Sequence, residues 1–138
     1  MVVQKILNFR TTGRGSLQIT NDVNEVVSQL KLSKGICNVF VMHTSASLML
    51  CENADPTVRT DLETVMGRLA PDGDPAHLHN TEGSDDMAAH IRTVLTDSSL
   101  SLPIKDGRCS LGTWQGIYLW EHRTHPHERK VVVTVYGE

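Results

Sequence analysis

The chain has 138 residues, of which 39% are hydrophobic and 21% charged. This composition is typical of a globular protein and excludes a disordered tail, a collagen-like repeat or a membrane bundle. The 13 Lys and Arg residues against 16 Asp and Glu residues give a net charge of −3, so no overall basic field favours nucleic acid as a partner. Neither a signal-peptide pattern nor a run of 18 apolar residues occurs, which predicts a cytoplasmic protein without a membrane partner.

The first part of the chain predicts a β-hairpin followed by a helix and a strand. Residues 2–10 favour a strand, the glycine turn at 12–15 ends it, and residues 16–19 predict the returning strand of the hairpin. A helix capped by Thr20 or Asn21 follows, with an apolar stripe of Val23, Val26, Val27 and Leu30. Residues 36–42 predict a buried strand, and the strand pattern resumes at 48–51.

Two further helices are predicted in the middle of the chain. Asp55 is placed to cap the first of them, and Pro56 suits its first position. The apolar stripe of this helix is Val58, Leu62, Val65, Met66 and Leu69. Ser84 is the predicted cap of the other helix, whose buried stripe is Met87, Ile91, Val94 and Leu95.

The last third of the chain predicts only strands. Asp106-Gly107 is a two-residue hairpin signal, residues 114–121 alternate, and residues 129–136 form a valine-rich strand. We therefore expect an α+β fold over residues 1–138 as a single domain, with a mostly antiparallel sheet and three helices.

Histidine is the unusual residue type, since seven histidines exceed the six aromatic residues. His90 lies on or beside the predicted buried stripe of the third helix, and His79 precedes that helix. Together with His43 they would form a three-histidine site for zinc or another divalent ion. The alternative for His90 is a core histidine bonded to a carbonyl, because a buried imidazole must satisfy its ring nitrogens. The spacing 43…79…90 matches no compact metal motif. The other four histidines are interpreted as surface residues: His77, His122, His125 and His127.

Two other segments carry candidate site residues. His43-Thr44-Ser45-Ala46-Ser47 places an imidazole and three hydroxyls at a strand end, which suits an anion site but also an ordinary polar turn. Glu52 and Asn53 follow the next strand. Gly112-Thr113-Trp114-Gln115-Gly116 predicts either close approach of a ligand or a bulge that packs one aromatic.

These segments resemble the YjbQ-like family, also called the secondary thiamine-phosphate synthase family. The blocks that carry the resemblance are His43–Ser47, Glu52–Pro56, Asp85–Ile91 and Leu111–Arg123. The resemblance implies a small α+β protein that forms a homotrimer and holds a divalent metal, zinc or magnesium, near its histidines. It also implies a thiamine-phosphate synthase activity, regarded as secondary, which joins hydroxymethylpyrimidine diphosphate to thiazole phosphate and releases pyrophosphate.

The resemblance also implies roles for the residues at the motif positions. The catalytic candidates are His43, Thr44, Ser45, Glu52 and Arg123. The substrate-binding candidates are Asn53, Gly112, Thr113, Trp114, Gln115 and Glu121. The implied metal ligands are His43, His79 and His90. The small size of the chain favours a site shared between subunits, and the alternative function is a non-catalytic metal- or metabolite-binding trimeric module.

Overall fold

The computed structural model describes residues 1–138 and contains eight strands and three helices. In chain order these are β1 (Val2–Arg10), β2 (Gly15–Gln18), α1 (Thr20–Ser28), β3 (Lys34–Val41), β4 (Ala46–Glu52), α2 (Pro56–Leu69), α3 (Asp86–Leu95), β5 (Ser99–Lys105), β6 (Arg108–Cys109), β7 (Gln115–Glu121) and β8 (Glu128–Gly137). Every strand pair is antiparallel, so the predicted α+β class is confirmed. None of the three helices combines the length and apolarity that crossing a bilayer requires.

The strands form two sheets that share one main core. The larger sheet has the order β1-β8-β3-β5-β6, and the smaller has the order β2-β7-β4. Residues from both sheets and from α1 meet in a cluster of 19 buried side chains. Val131, Val133 and Val135 of β8 are fully buried within it, because alternate residues of a strand face the same side of the sheet.

The predicted N-terminal hairpin does not form. β1 pairs with β8 in the larger sheet, whereas β2 pairs with β7 in the smaller one. The glycine-containing turn therefore carries the chain from one sheet to the other. Gly13 has a φ of 121° and Gly15 a φ of 145°, which are backbone conformations that glycine adopts readily.

Helix α2 begins as predicted but is less buried than its stripe suggests. The Asp55 side chain accepts a hydrogen bond from the Thr57 backbone at 2.9 Å and caps the helix. Only Val58 and Met66 pack on a second cluster, formed by Met49, Cys51, Tyr118 and Trp120 on the smaller sheet. The other predicted stripe residues, Leu62, Val65 and Leu69, are exposed.

Helix α3 presents a different face from the predicted one. Its buried residues are Asp86, Ala88, Ala89, Arg92 and Thr93, while Val94 of the predicted stripe is 83% exposed. The small side chains allow the helix to approach β4 closely, and Arg92 is held inside by Glu63 and the Ala70 carbonyl. The helix cap is Asp85 rather than Ser84.

The interpretation of His122 as a surface residue is wrong. Its side chain is completely buried, and Nε2 lies 2.8 Å from Ser47 Oγ. Burial and the charge of Arg92 lower the pKa of His122 from 6.5 to about 3. His122 is therefore a neutral core residue.

Candidate functional site

Three potential metal-ligand atoms converge where the loop after α2 meets the beginning of α3. They belong to His79 in the loop and to Asp86 and His90, which lie one helical turn apart on α3, and all lie within 4.8 Å of one another. Asp86 Oδ2 is 2.6 Å from His79 Nε2 and 3.3 Å from His90 Nε2. We call these residues the His79–Asp86–His90 cluster.

The hydrogen bonding of His90 determines which of its ring nitrogens is available. Nδ1 lies 3.2 Å from the Thr44 carbonyl oxygen, and because a carbonyl only accepts, Nδ1 carries the hydrogen. In the neutral ring the lone pair on Nε2 then faces the Asp86 carboxylate. A metal ion between these two acceptors would bind both, and two imidazole nitrogens with one carboxylate are donors that zinc accepts.

Arg123 fixes the carboxylate of Asp86 from the other side. Its Nη1 donates to Asp86 Oδ1 at 2.9 Å, and its Nε donates to Asp85 Oδ2 at 2.9 Å. Burial raises the pKa of Asp86, but the His79 hydrogen bond and the Arg123 charge outweigh it and leave that pKa below its ordinary value. The cluster thus contains an ionised carboxylate. Arg123 orients it in the way that outer-shell groups orient the ligands of known metal sites.

His43, predicted to be a third metal ligand, does not join the cluster within one chain. Its Nε2 accepts a hydrogen bond from the Lys130 backbone at 2.8 Å, so the lone pair of the neutral ring is occupied. Burial and the Arg129 charge lower the pKa of His43, which favours this neutral form. Within one chain the candidate group therefore consists of His79, Asp86 and His90, and His43 as a metal ligand stays a prediction.

Sequence reasoning missed Asp86 as a ligand candidate. The metal ligands implied by the sequence are His43, His79 and His90, and Asp86 is not among them. The available signal was its spacing from His90, because residues i and i+4 of a helix lie on the same face.

A small pocket opens beside the cluster. Its volume is about 270 Å³, and its lining includes His77, His79, Asn80, Ser84 and Met87. This space adjoins one ligand candidate and would admit water or a small ligand group.

Ser45 and Glu121 belong to a buried hydrogen-bond network around Arg129 rather than to an open site. Arg129 donates through Nε to Glu121 Oε1 at 2.8 Å, through Nη2 to Glu121 Oε2, and through Nη2 to Ser45 Oγ at 2.9 Å. Thr11 Oγ1 adds a hydrogen bond of 2.6 Å to Glu121 Oε1. Since the Glu121 side chain is 1% exposed, its predicted contact with substrate is not available in the single chain. Arg129 is not among the site residues predicted from the sequence.

The carboxylate of Glu52 also forms hydrogen bonds with the local backbone. Its Oε2 accepts hydrogen bonds from the N–H groups of Ala54 and Asp55 at 2.9 and 2.8 Å. Its own carbonyl oxygen accepts from Arg59 Nη1 at 2.9 Å. These bonds shape the turn that leads into α2, so the geometry gives Glu52 a structural role.

Gly112, Thr113 and Trp114 lie in the turn before β7, Gln115 begins that strand, and Asn53 follows β4. Gly112 N donates to Gln115 Oε1 at 2.8 Å, and Asn53 N donates to the Trp114 carbonyl at 3.0 Å. Thr113 is exposed, and Trp114 is 61% exposed, which leaves its indole face open to stacking.

The predicted residues thus form two groups at opposite ends of the β4–β7 ladder. Glu52 pairs with Gln115 at one end and Ala46 pairs with Glu121 at the other. Six residue steps at about 3.3 Å each separate the ends by roughly 20 Å. One small ligand cannot contact both groups of the same chain.

A family model described as "UPF0047 protein YjbQ-like" matches residues 5–138. The chain belongs to this family. The family resemblance found in the sequence is therefore confirmed.

Relatives of this YjbQ-like chain extend over nearly its whole length. The UPF0047 protein sll1880 of Synechocystis sp. is 49% identical over 135 residues, which cover 98% of this chain and 92% of that protein. The UPF0047 protein YjbQ of Escherichia coli O157:H7 is 41% identical over 139 residues and both chains are fully covered. The crystal structure of the conserved hypothetical protein TT1486 from Thermus thermophilus aligns with a TM-score of 0.82 at 36% identity, covering 93% of this chain and 97% of that one. These relatives support the YjbQ-like fold and name no reaction.

Proposed function

We propose that this YjbQ-like protein binds a divalent metal at the His79–Asp86–His90 cluster and uses it in an enzymatic reaction of a phosphorylated small molecule. The observation that carries the proposal is the convergence of three ligand atoms within 4.8 Å. The hydrogen bonds from His90 to Thr44 and from Arg123 to Asp86 support it, because outer partners of this kind orient metal ligands.

The donor types favour zinc over magnesium. Two imidazole nitrogens and one carboxylate are a common catalytic zinc set, and a fourth position stays open for water or substrate. Magnesium prefers oxygen ligands throughout. We therefore expect zinc to bind more tightly than magnesium.

The reaction that the family resemblance implies is thiamine-phosphate synthesis. The thiazole ring nitrogen bonds to the methylene carbon of hydroxymethylpyrimidine diphosphate while the bond from that carbon to the diphosphate oxygen breaks. A bound metal would supply positive charge for the departing pyrophosphate. In this scheme His79, Asp86 and His90 hold the metal.

Arg123 is assigned a positioning role instead of the catalytic one implied by the resemblance. Its Nη1 and Nε bind Asp86 and Asp85, and its Nη2 donates to the Glu82 carbonyl at 2.9 Å. Each of its three nitrogens donates to a partner within the chain, so we assign it to orienting Asp86.

The metal assignment is tested by titrating zinc and magnesium into chelator-treated protein. His79→Ala and His90→Ala should each weaken zinc binding by more than roughly tenfold, since even loss of an outer partner has that effect. His125→Ala is the matched control, because His125 is exposed and lies outside the cluster. Equal zinc affinity in all variants would refute the metal site.

The reaction assignment is tested by measuring pyrophosphate release from both phosphorylated precursors. Turnover should require added metal and should fall in His79→Ala and His90→Ala but not in His125→Ala. Zinc binding without any pyrophosphate release would instead favour the second candidate, a non-catalytic metal- or metabolite-binding module.

A homotrimer is the proposed assembly, and the outer face of the larger sheet is its proposed contact surface. Ile6 and Phe40 flank Val132 in one row of this face, and Ile36 lies beside Tyr136 in another. These apolar side chains are uncovered, with Ile6 51% and Phe40 44% exposed, which is typical of a protein interface.

Light scattering of the purified protein tests the assembly. We expect three times the chain mass of 15.3 kDa, and Phe40→Glu should dissociate the assembly. Leu78→Glu is the control, because Leu78 is an exposed loop residue away from this sheet. A monomeric wild type would refute the trimer. A cytoplasmic location is part of the same proposal and is tested by cell fractionation.

A further inference from the structure

A polar pocket lies away from the metal cluster. It is enclosed by the beginning of α1, the β5–β6 hairpin and the turn from Gly112 to Gln115, and its volume is about 590 Å³. A lone inorganic ion would leave most of this space empty, whereas a small organic ligand would fill it. We call it the α1–hairpin pocket.

Two amide side chains give this pocket hydrogen-bond donors. The Asn24 Oδ1 atom accepts from the Cys109 backbone at 2.8 Å, and the Gln115 Oε1 atom accepts from the Gly112 backbone at 2.8 Å. Both amide oxygens are thus engaged, while neither NH2 group has a partner within the chain. The free groups of these two lining residues are donors, which suits a ligand rich in acceptor oxygens.

Two cations reinforce this preference. Lys105 and Arg108 line the pocket from the β5–β6 hairpin, and neither has a carboxylate oxygen within 4.0 Å. Asp106 is the only acidic residue of the lining. A negatively charged ligand would therefore meet both unpaired positive charge and amide donors in this pocket.

Gly116 allows the floor of the pocket to form. A Cβ atom at this position would lie 2.8 Å from Gln18 Nε2 and 3.2 Å from Asn53 Cβ. Its absence leaves room for both amide residues beside Gly116, and both line the pocket. They provide polar partners for the organic part of a ligand.

We propose that the α1–hairpin pocket binds a small organic phosphate, with the phosphate near Lys105 and Arg108 and the organic part against the amide side chains. This inference goes beyond the proposed function and does not depend on it, because a ligand in this pocket does not reach the metal cluster of the same chain. The pocket lies at the Gln115 end of the ladder, about 20 Å from the end near the metal cluster. Binding is therefore independent of metal.

Calorimetric titration of metal-free protein tests the pocket with three probes: thiazole phosphate, the same thiazole alcohol without phosphate, and inorganic phosphate. Thiazole phosphate should bind saturably. The alcohol and inorganic phosphate should each bind at least about tenfold more weakly, because each lacks one of the two recognised parts. Equal affinity for any two probes, or no binding of thiazole phosphate, would overturn the proposal.

Two isosteric substitutions locate the binding site. Asn24→Asp and Gln115→Glu keep the oxygen that accepts the structural hydrogen bond but replace the NH2 donor with an anionic oxygen. Each should weaken thiazole phosphate binding at least about tenfold with little change in Tm. Gln29→Glu adds the same charge at the exposed end of α1 and should bind as the wild type does.

The outcomes separate this inference from the proposed function. If Asn24→Asp and Gln115→Glu bind like Gln29→Glu, the pocket assignment is wrong, whereas zinc binding at the His79–Asp86–His90 cluster is unaffected by that result. If His79→Ala retains zinc while the pocket variants lose thiazole phosphate, the metal assignment fails and the pocket assignment stands.

Discussion

Arg123 and Asp86 are joined by a hydrogen bond of 2.9 Å that fixes one carboxylate oxygen while the other faces His79 and His90. The arginine thereby connects the strand β7 side of the molecule to the beginning of α3. Its planar guanidinium also reaches Asp85, which a lysine ammonium could not do with the same geometry.

Arg123→Lys should weaken zinc binding by about 10- to 100-fold, because the carboxylate loses its orienting partner. Titration with zinc measures the effect. Arg14→Lys is the matched control, since Arg14 also forms two hydrogen bonds to a carboxylate, that of Asp72, but does not contact the cluster. If both variants bind zinc equally, Arg123 has no positioning role.

His122 should make stability depend on pH. Its pKa is about 3 in the folded protein against an ordinary value of 6.5, so between these values the unfolded chain binds a proton that the folded chain does not. The free energy of unfolding therefore falls as the pH falls, by about 2 kcal/mol between pH 7 and 5 from this group. Urea unfolding at several pH values measures the slope, which should be reduced in His122→Gln. Equal slopes in both proteins would contradict the expectation.

Two glycine substitutions should change stability in opposite directions. A Cβ at Gly35 would lie 2.3 Å from the Tyr136 carbonyl oxygen across the β3–β8 pair, whereas a Cβ at Gly67 in α2 meets only Arg92 Nη2 at 4.0 Å. Gly35→Ala should lower the free energy of unfolding by about 1–3 kcal/mol or more. Gly67→Ala should raise it by up to about 1 kcal/mol, since alanine favours helix. Denaturant unfolding of both variants gives the sign of each change in the free energy of unfolding. A stabilising Gly35→Ala would contradict the expected clash with the Tyr136 carbonyl.

The buried face of α3 can be tested with substitutions at one buried and one exposed position. Ala89→Leu should destabilise the protein by about 1–3 kcal/mol because Ala89 is fully buried. Val94→Ser should change stability by less than about 0.5 kcal/mol, as is usual for exposed positions. Thermal unfolding compares the stability of the two variants. A larger loss of stability in Val94→Ser would favour the buried face that the sequence pattern predicts.

Local signals in the sequence predicted most of the elements. Asp55 before Pro56 marked the beginning of α2, and Asp106-Gly107 marked the β5–β6 turn, where both residues have positive φ. Such features depend on neighbouring residues alone. The same is true of the family resemblance, which rests on short blocks of sequence.

Tertiary structure decided what these local signals could not. The turn at residues 12–15 looks the same in a hairpin and in a crossover between sheets, and only pairing with β7 and β8 distinguishes them. Ala88 and Ala89 displace the larger residues of α3 from the core because close approach to β4 favours small side chains. Asp86 faces His79 and His90, whereas the Nε2 atom of His43 accepts a hydrogen bond from the Lys130 backbone. The sequence therefore determined the elements and the family, while long-range packing determined which side chains meet.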